Sequence, residues 1–164
     1  MKKLKGIGLI AILVLIDQLT KIWAKSTLSG GKVISIIKNV FCLEYVENRG
    51  AAFGMLQNKV LFFLVITIIV LAGIYFVFKR MPEDKKYRPL SILLLVMVAG
   101  AIGNLIDRLI YNYVVDFLYF ELIDFPVFNV ADCYVTVSAI TLFVLFLFYY
   151  KDEDFHFLTK KKEK

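Results

Sequence analysis

The chain has 164 residues, 60% of them hydrophobic, a mean hydropathy of +0.74 and a net charge of +6. That length suits one domain, and the apolar share exceeds the roughly 45–50% of soluble domains. So small a globule has too little interior to hide it, which excludes a soluble fold and leaves lipid as the solvent for most of the surface.

The first predicted span runs from Leu4 to about Ala24, interrupted by Asp17 and Lys21, since a bilayer core takes about 20 apolar residues per helix. Its basic start imitates a signal peptide, but the two charges follow the apolar stretch and no small-x-small cleavage site stands beyond it. It reads as a retained helix. The next segment, Lys25 to Lys59, reads as sheet over Val33–Ile37 and Val40–Val46, with Lys38-Asn39 as the turn, because β-branched and aromatic residues dominate it. The second span is Val60 to Phe78, apolar all round. The third is Pro89 to Leu109, opened by a proline suited to a first helical turn. Ile110 to Asn129 follows as a second connecting segment. The fourth span is Val130 to Tyr150, with Asp132 its only charge. The fold class expected is an all-α integral membrane domain covering 1–164, with four transmembrane helices and a small β-rich cradle at about residues 30–54.

The charge placement orients this domain. Lys2, Lys3 and Lys5, then Lys79, Arg80, Lys85, Lys86 and Arg88, then Lys151, Lys160, Lys161, Lys162 and Lys164 flank the apolar runs, as cytoplasmic loops do under the positive-inside rule. Both termini are therefore expected in the cytoplasm, with 25–59 and 110–129 on the outer face. No basic stretch carries the interleaved aromatics of a single-strand binder, so no nucleic-acid partner is expected.

Ionisable groups inside apolar spans are costly and mark function. Measured along ideal helices, Asp107 lies about 27 Å from Pro89 and Asp17 about 20 Å from Leu4. Asp132 opens the fourth helix at that same outer boundary. Asp17, Lys21, Asn104, Asp107, Arg108, Asp116, Asn129 and Asp132 thus converge on one outer layer. Structural roles are open for most of them. Asp17 and Lys21 form an i,i+4 pair; Gly100, Gly103 and Asn104 suit close helix packing; Asp107 and Arg108 suit interfacial anchoring; Asn129 and Asp132 have the spacing of a capping box. Asp116 is harder to explain structurally. It sits between Val115 and Phe117, with no basic residue between Arg108 and Lys151.

Two carboxyls in one low-dielectric site share a proton rather than both ionise. The ionised member can activate water while the neutral one donates to a peptide carbonyl. Such chemistry needs no metal or cofactor. A helix N-terminus at Asp132 favours its ionised form, leaving Asp116 as the proton carrier. Other chemistries lack parts. His156 is the only histidine and belongs to the opposite face from Cys42 and Cys133; zinc would lack its nitrogen and sulfur ligands; no glycine-rich phosphate loop is present. The two cysteines are expected to be free.

The blocks Asp17-Gln18-Leu19-Thr20-Lys21, Asn48-Arg49-Gly50-Ala51-Ala52-Phe53-Gly54, Gly103-Asn104-Leu105-Ile106-Asp107-Arg108, Val115-Asp116-Phe117 and Phe128-Asn129-Val130-Ala131-Asp132 resemble the lipoprotein signal peptidase (signal peptidase II) family, in family order. The resemblance implies a membrane aspartyl endopeptidase that cleaves bacterial prolipoproteins before a diacylglyceryl-modified cysteine. It implies Asp116 and Asp132 as the catalytic pair, with Asn48 and Arg108 holding the substrate backbone. Asn104 and Asn129 would support the site, and Asp17, Lys21 and Asp107 would brace it. Gly50 opens a small-residue segment through Gly54 that leaves room for a chain or lipid. The expected setting is the bacterial cytoplasmic membrane, the partners are prolipoprotein and lipid, and one chain supplies every catalytic part. The rival functions are an ion-coupled transporter using the same acids as a proton relay, and a scaffold whose acids only hold helices together.

Overall fold

The computed structural model describes residues 3–50 and 59–159. The basic residue Lys2, the small-residue stretch from Ala51 to Gly54 and the lysines at 160–164 lie outside the described residues.

Four helices are long and apolar enough to cross a membrane: α1 (Lys3–Leu28), α2 (Val60–Arg80), α3 (Arg88–Tyr111) and α4 (Val130–Phe148). The starts match the sequence reading closely, and the ends differ by up to four residues. Hydrophobic side chains point outward along them. Ile68 is 59% exposed, Phe143 63% and Phe148 83%, a surface that only lipid makes tolerable. Pro89 lies in the first turn of α3, and Asn112 closes that helix in the left-handed region at φ 61°, a conformation asparagine adopts more readily than most residues.

α3 is the central helix, packed against each of the other three. Two glycines permit the approach. A Cβ on Gly100 would stand 2.5 Å from the Ala131 carbonyl oxygen of α4, and one on Gly103 would collide with the Asp17 carboxylate of α1. The packing role open to these glycines is therefore realised.

Against α1 and α3 lies a three-stranded antiparallel sheet, β1 (Ile34–Ile37), β2 (Phe41–Asn48) and β3 (Val114–Tyr119), in the order β1-β2-β3. The turn falls at Lys38-Asn39, with Asn39 at φ 57°. β3 is an addition to the sequence reading, which left 110–129 as a connection. Its apolar face, Tyr113, Val115 and Phe117, packs on Ala24 and Leu28 at the end of α1. Alternation then sends Asp116 to the other face. Phe128 bonds back to Phe117 and Leu118 at 2.8–3.0 Å, so the chain enters α4 beside Asp116.

The opposite end of the bundle is also tied. After α4, Tyr150 is buried, its ring stacked 6.2 Å from Tyr87, and its hydroxyl donates to the Lys86 carbonyl at 3.0 Å. A 3₁₀ turn, Asp152–Phe155, and α5 (His156–Thr159) follow. Lys86 pairs with Asp154 at 2.6 Å and Arg80 donates to the Leu158 carbonyl. The acidic and aromatic segment that follows the last span is thus docked on the α2–α3 connection.

Gly100→Val is expected to lower thermal stability in detergent by about 1–3 kcal/mol, the cost of overpacking, because the colliding atom is α4 backbone. An unchanged melting temperature would contradict the contact.

Candidate active site

The site is assembled from five elements, α1, β2, α3, β3 and α4, and one lysine organises its base. Lys21 Nζ lies 2.9 Å from Asp17 Oδ2 and 3.2 Å from Asp107 Oδ2, and donates to Asn104 Oδ1 at 2.9 Å. All three ionised groups are at most 2% exposed. A lysine between two carboxylates leaves both acids with acceptor capacity, and backbone donors take it up. Asp17 Oδ1 accepts from Ala131 N–H at 2.9 Å, one of the orphan donors at the start of α4. Asp107 Oδ2 accepts from Val115 N–H in β3 at 2.9 Å. The brace therefore ties α1 and α3 to both elements that carry the paired aspartates. The i,i+4 pair of Asp17 and Lys21 is realised within a wider network that also takes in Asp107 and Asn104.

Gln18 belongs to this base and was assigned no role in the sequence reading. Its amide donates to Asp17, to the Gly103 carbonyl and to Asp107 at 3.0–3.2 Å. Its place one residue from Asp17 was the available signal.

Above the brace, asparagine amides connect the two upper acids. Asn129 begins α4. Its Oδ1 accepts from Asp132 N–H at 3.0 Å, while Asp132 Oδ2 accepts from Asn129 N–H at 3.2 Å. This is the capping box that the spacing suggested. The Asn129 Nδ2 donates to Asp116 Oδ1 at 2.6 Å and to Asn104 Oδ1 at 3.1 Å, and Asn104 Nδ2 donates to Asp132 Oδ1 at 2.7 Å. Asp116 and Asp132 are thereby joined through two amides. Serine or aspartate would cap α4 equally well, but neither has the amide that also donates to these two acceptors.

Asp116 is 1% exposed, held by Asn129 on one oxygen and by Asn48 Nδ2 on the other at 2.8 Å. Burial, and next the charge of Asp132, push its carboxyl up to about 7, against the opposing pull of the Asn48 and Asn129 hydrogen bonds. Gly50 N–H donates to Asn48 Oδ1 at 3.0 Å and fixes that amide's orientation. Arg108 is half-buried. It reaches the Asn104 carbonyl only at 3.5 Å, stands 4.9 Å over the Phe63 ring and makes no ion pair within 4 Å among the described residues.

All ten residues singled out from the sequence thus lie in or next to one layer. A cavity of about 250 Å³ adjoins it, lined by Lys21, Lys25, Asp107 and Tyr111 among others. Neither Asp116 nor Asp132 lines that cavity, which opens on the side of the lysine brace. Cys42 and Cys133 are both free, and no metal-binding group of His, Cys, Asp or Glu occurs among the described residues. The arrangement can hold one proton on a buried carboxyl beside an ionised one, next to a guanidinium with no ion-pair partner among the described residues.

These features define a multi-pass membrane protein with a buried carboxylate site among its helices, and comparisons with known proteins give the family. The model of the signal peptidase II family matches residues 9–148, and the chain belongs to that family. It is 48% identical over 144 residues to the lipoprotein signal peptidase of Caldanaerobacter subterraneus subsp. tengcongensis, covering 87% of this chain and 96% of the relative. It is 41% identical to that of Clostridium novyi, covering 82% and 91%. A solved bacterial membrane enzyme, determined by the in meso method at 2.3 Å, superposes with a TM-score of 0.77 at 30% identity, over 100% of this chain and 96% of the other.

Lys21→Met is expected to destabilise the fold by about 3–5 kcal/mol, because it strands Asp17 and Asp107 without their cation. Thermal unfolding in detergent measures this, and a loss below about 1 kcal/mol would show that the brace is not a buried ion network.

Proposed function

We propose that this membrane peptidase is an aspartyl endopeptidase that removes the signal peptide from prolipoproteins by cleaving before a diacylglyceryl-modified cysteine. Asp116 and Asp132 are its catalytic pair. The observation that carries the reading is Asp116 itself: a buried carboxyl raised to about 7, coupled through Asn129 and Asn104 to a second carboxyl, with no ion pair to neutralise either among the described residues. A structural acid buried at such cost would be paired with a cation.

In this mechanism Asp132, at the positive end of α4, is the ionised member. It takes a proton from water as the water oxygen attacks the scissile carbonyl carbon. Asp116 gives its proton to the carbonyl oxygen, producing a neutral tetrahedral diol. As the diol collapses, the carbon–nitrogen bond breaks, the proton held by Asp132 passes to the leaving amine, and Asp116 recovers its own from the hydroxyl that reforms the carbonyl. Arg108, whose guanidinium pairs with no carboxylate among the described residues, and Asn48 hold the substrate backbone. Asn104 and Asn129 keep the pair together, while Asp17, Lys21 and Asp107 keep the helices that carry it in register.

The basic clusters at Lys79–Arg88 and Lys151 stand at the end of the bundle away from the aspartates, which supports cytoplasmic termini and an outer-face site in the bacterial cytoplasmic membrane. A precursor anchored by acyl chains presents its cleavage point at that boundary. One chain holds both aspartates, and we propose a monomer.

Asp116→Asn and Asp132→Asn are each expected to abolish cleavage of a diacylglyceryl-modified precursor. Each keeps the fold at a cost of about 1 kcal/mol, because the new amide donor meets one of the donors now served by the carboxylate. Cleavage retained by either folded variant would end the aspartyl reading. An unlipidated precursor should be cut far more slowly.

The raised Asp116 carboxyl also sets a pH dependence. A proton held in the folded state up to about 7, against an ordinary value of 3.8, means that the native protein binds more protons than the unfolded chain across that window. Stability therefore falls as pH rises from about 4 to about 7, and kcat/KM falls on the alkaline side of about 7 as the acid is lost. Asp116→Asn should remove its share of the stability slope; a slope unchanged by that variant would reject the assignment.

A further inference from the structure

The face of the sheet turned away from the paired aspartates carries a second cluster, which the proposed chemistry does not use. Tyr113, 8% exposed, is its hub. Lys25 Nζ donates to the Tyr113 hydroxyl at 3.0 Å and stands 4.0 Å over the Tyr111 ring. The Tyr113 hydroxyl lies 3.3 Å from that of Tyr45, which donates to Glu47 at 3.3 Å. Arg49 donates to Glu47 at 2.8 Å and stands 5.5 Å over the Tyr113 ring.

Strand alternation makes this cluster consequential. Tyr45, Glu47 and Arg49 alternate with Asn48 along the chain, so Asn48 points to the opposite face, toward Asp116. Asn48 opposite Val114 is also the terminal pair of the β2–β3 ladder, where backbone pairing alone leaves a strand end free to fray. The residues on either side of Asn48 are the ones fastened to Tyr113. An exposed pair such as Glu47–Arg49 contributes little by itself; the buried ring and hydroxyl of Tyr113 supply the fixed point.

We propose that Tyr113 is a positioning residue for the peptidase site: through Tyr45, Glu47 and Arg49 it pins the end of β2 and so holds Asn48 against Asp116. This rests on the aspartyl reading above. The cluster's own groups on the strand do not titrate near neutrality. Burial and the Tyr113 contact hold the Tyr45 phenol above its ordinary range, and Arg49 holds Glu47 below its own. A change in the pH profile therefore reports on the Asp116 side of the sheet, where Asp132, Lys21 and Arg108 are the charges acting on Asp116.

The test uses the full-length enzyme in detergent with a diacylglyceryl-modified precursor, comparing Tyr113→Phe, Asn48→Ala and the double variant. Asn48 lowers the Asp116 pKa by donating to it, so releasing Asn48 lets Asp116 keep its proton to higher pH. Tyr113→Phe is expected to cut kcat about tenfold with KM little changed, and to move the alkaline limb of the rate profile upward, as Asn48→Ala does. In the Asn48→Ala background it should do nothing further, because both changes act through one contact. Tyr45→Phe, at a half-buried position, provides a milder shift in the same direction if Tyr113→Phe folds poorly. Equal slowing by Tyr113→Phe in both backgrounds, or a limb that moves with Asn48→Ala but not with either tyrosine variant, overturns the inference alone. Cleavage that survives Asp116→Asn overturns the aspartyl reading and this inference with it.

Discussion

The structure depends on the cost of holding four carboxylates in a layer that excludes water. Asp17, Asp107 and Asp116 are each at most 1% exposed and Asp132 is half-buried, while Lys21 is the only cation in ion-pair contact with any of them among the described residues. One ammonium can neutralise one carboxylate, and two backbone N–H donors and a glutamine amide stabilise the remaining charge of the lower pair. That commits the one buried ammonium. In direct contact the upper pair has amides alone among the described residues, which stabilise an anion less well than an ammonium does, and the Arg108 guanidinium acts on it only from beyond ion-pair distance. A shared proton is the resolution with the lowest cost.

The same constraint explains why asparagine recurs. Asn48, Asn104 and Asn129 each offer a donor and an acceptor on one short, rigid group, so Asn104 and Asn129 can link the two acids, and Asn48 can hold the other oxygen of Asp116, without bringing in a charge. Asn129 shows the consequence for the fold: the residue that starts α4 is also the one that holds Asp116, so helix capping and site geometry cannot vary independently. Glycine plays the complementary part. Gly103 leaves the space that the Asp17 carboxylate fills, and without it the brace would be pushed away from α3.

Much of this was visible before any fold was known. Four apolar runs of helical length, basic clusters at their flanks and acids at matching heights on three of them already place the polar layer, because span length and helix rise are nearly invariant. The turn at Lys38-Asn39 was legible from composition. β3 was not read from the sequence, although Val114-Val115-Asp116-Phe117-Leu118-Tyr119 is rich in strand formers; a charged residue at its centre masked the pattern. Gln18 lay inside a recognised block and went unassigned because an amide beside a buried acid has no distinctive signature. The docking of residues 152–159 was illegible for a similar reason: acidic and aromatic residues after a last span look the same whether they are solvated or packed.

The sequence by itself determined which side chains would be forced into lipid, and how deep, since hydropathy and helix geometry act locally along the chain. It also determined the family, through blocks whose order needs no fold to be read. Only the tertiary structure decided which acid received the lysine and which received amides. That choice turns on contacts between residues as far apart as Asp17 and Ala131 or Asn48 and Asp116. The energy of a buried charge depends on the few atoms within about 4 Å of it, and separation along the chain carries no record of that distance.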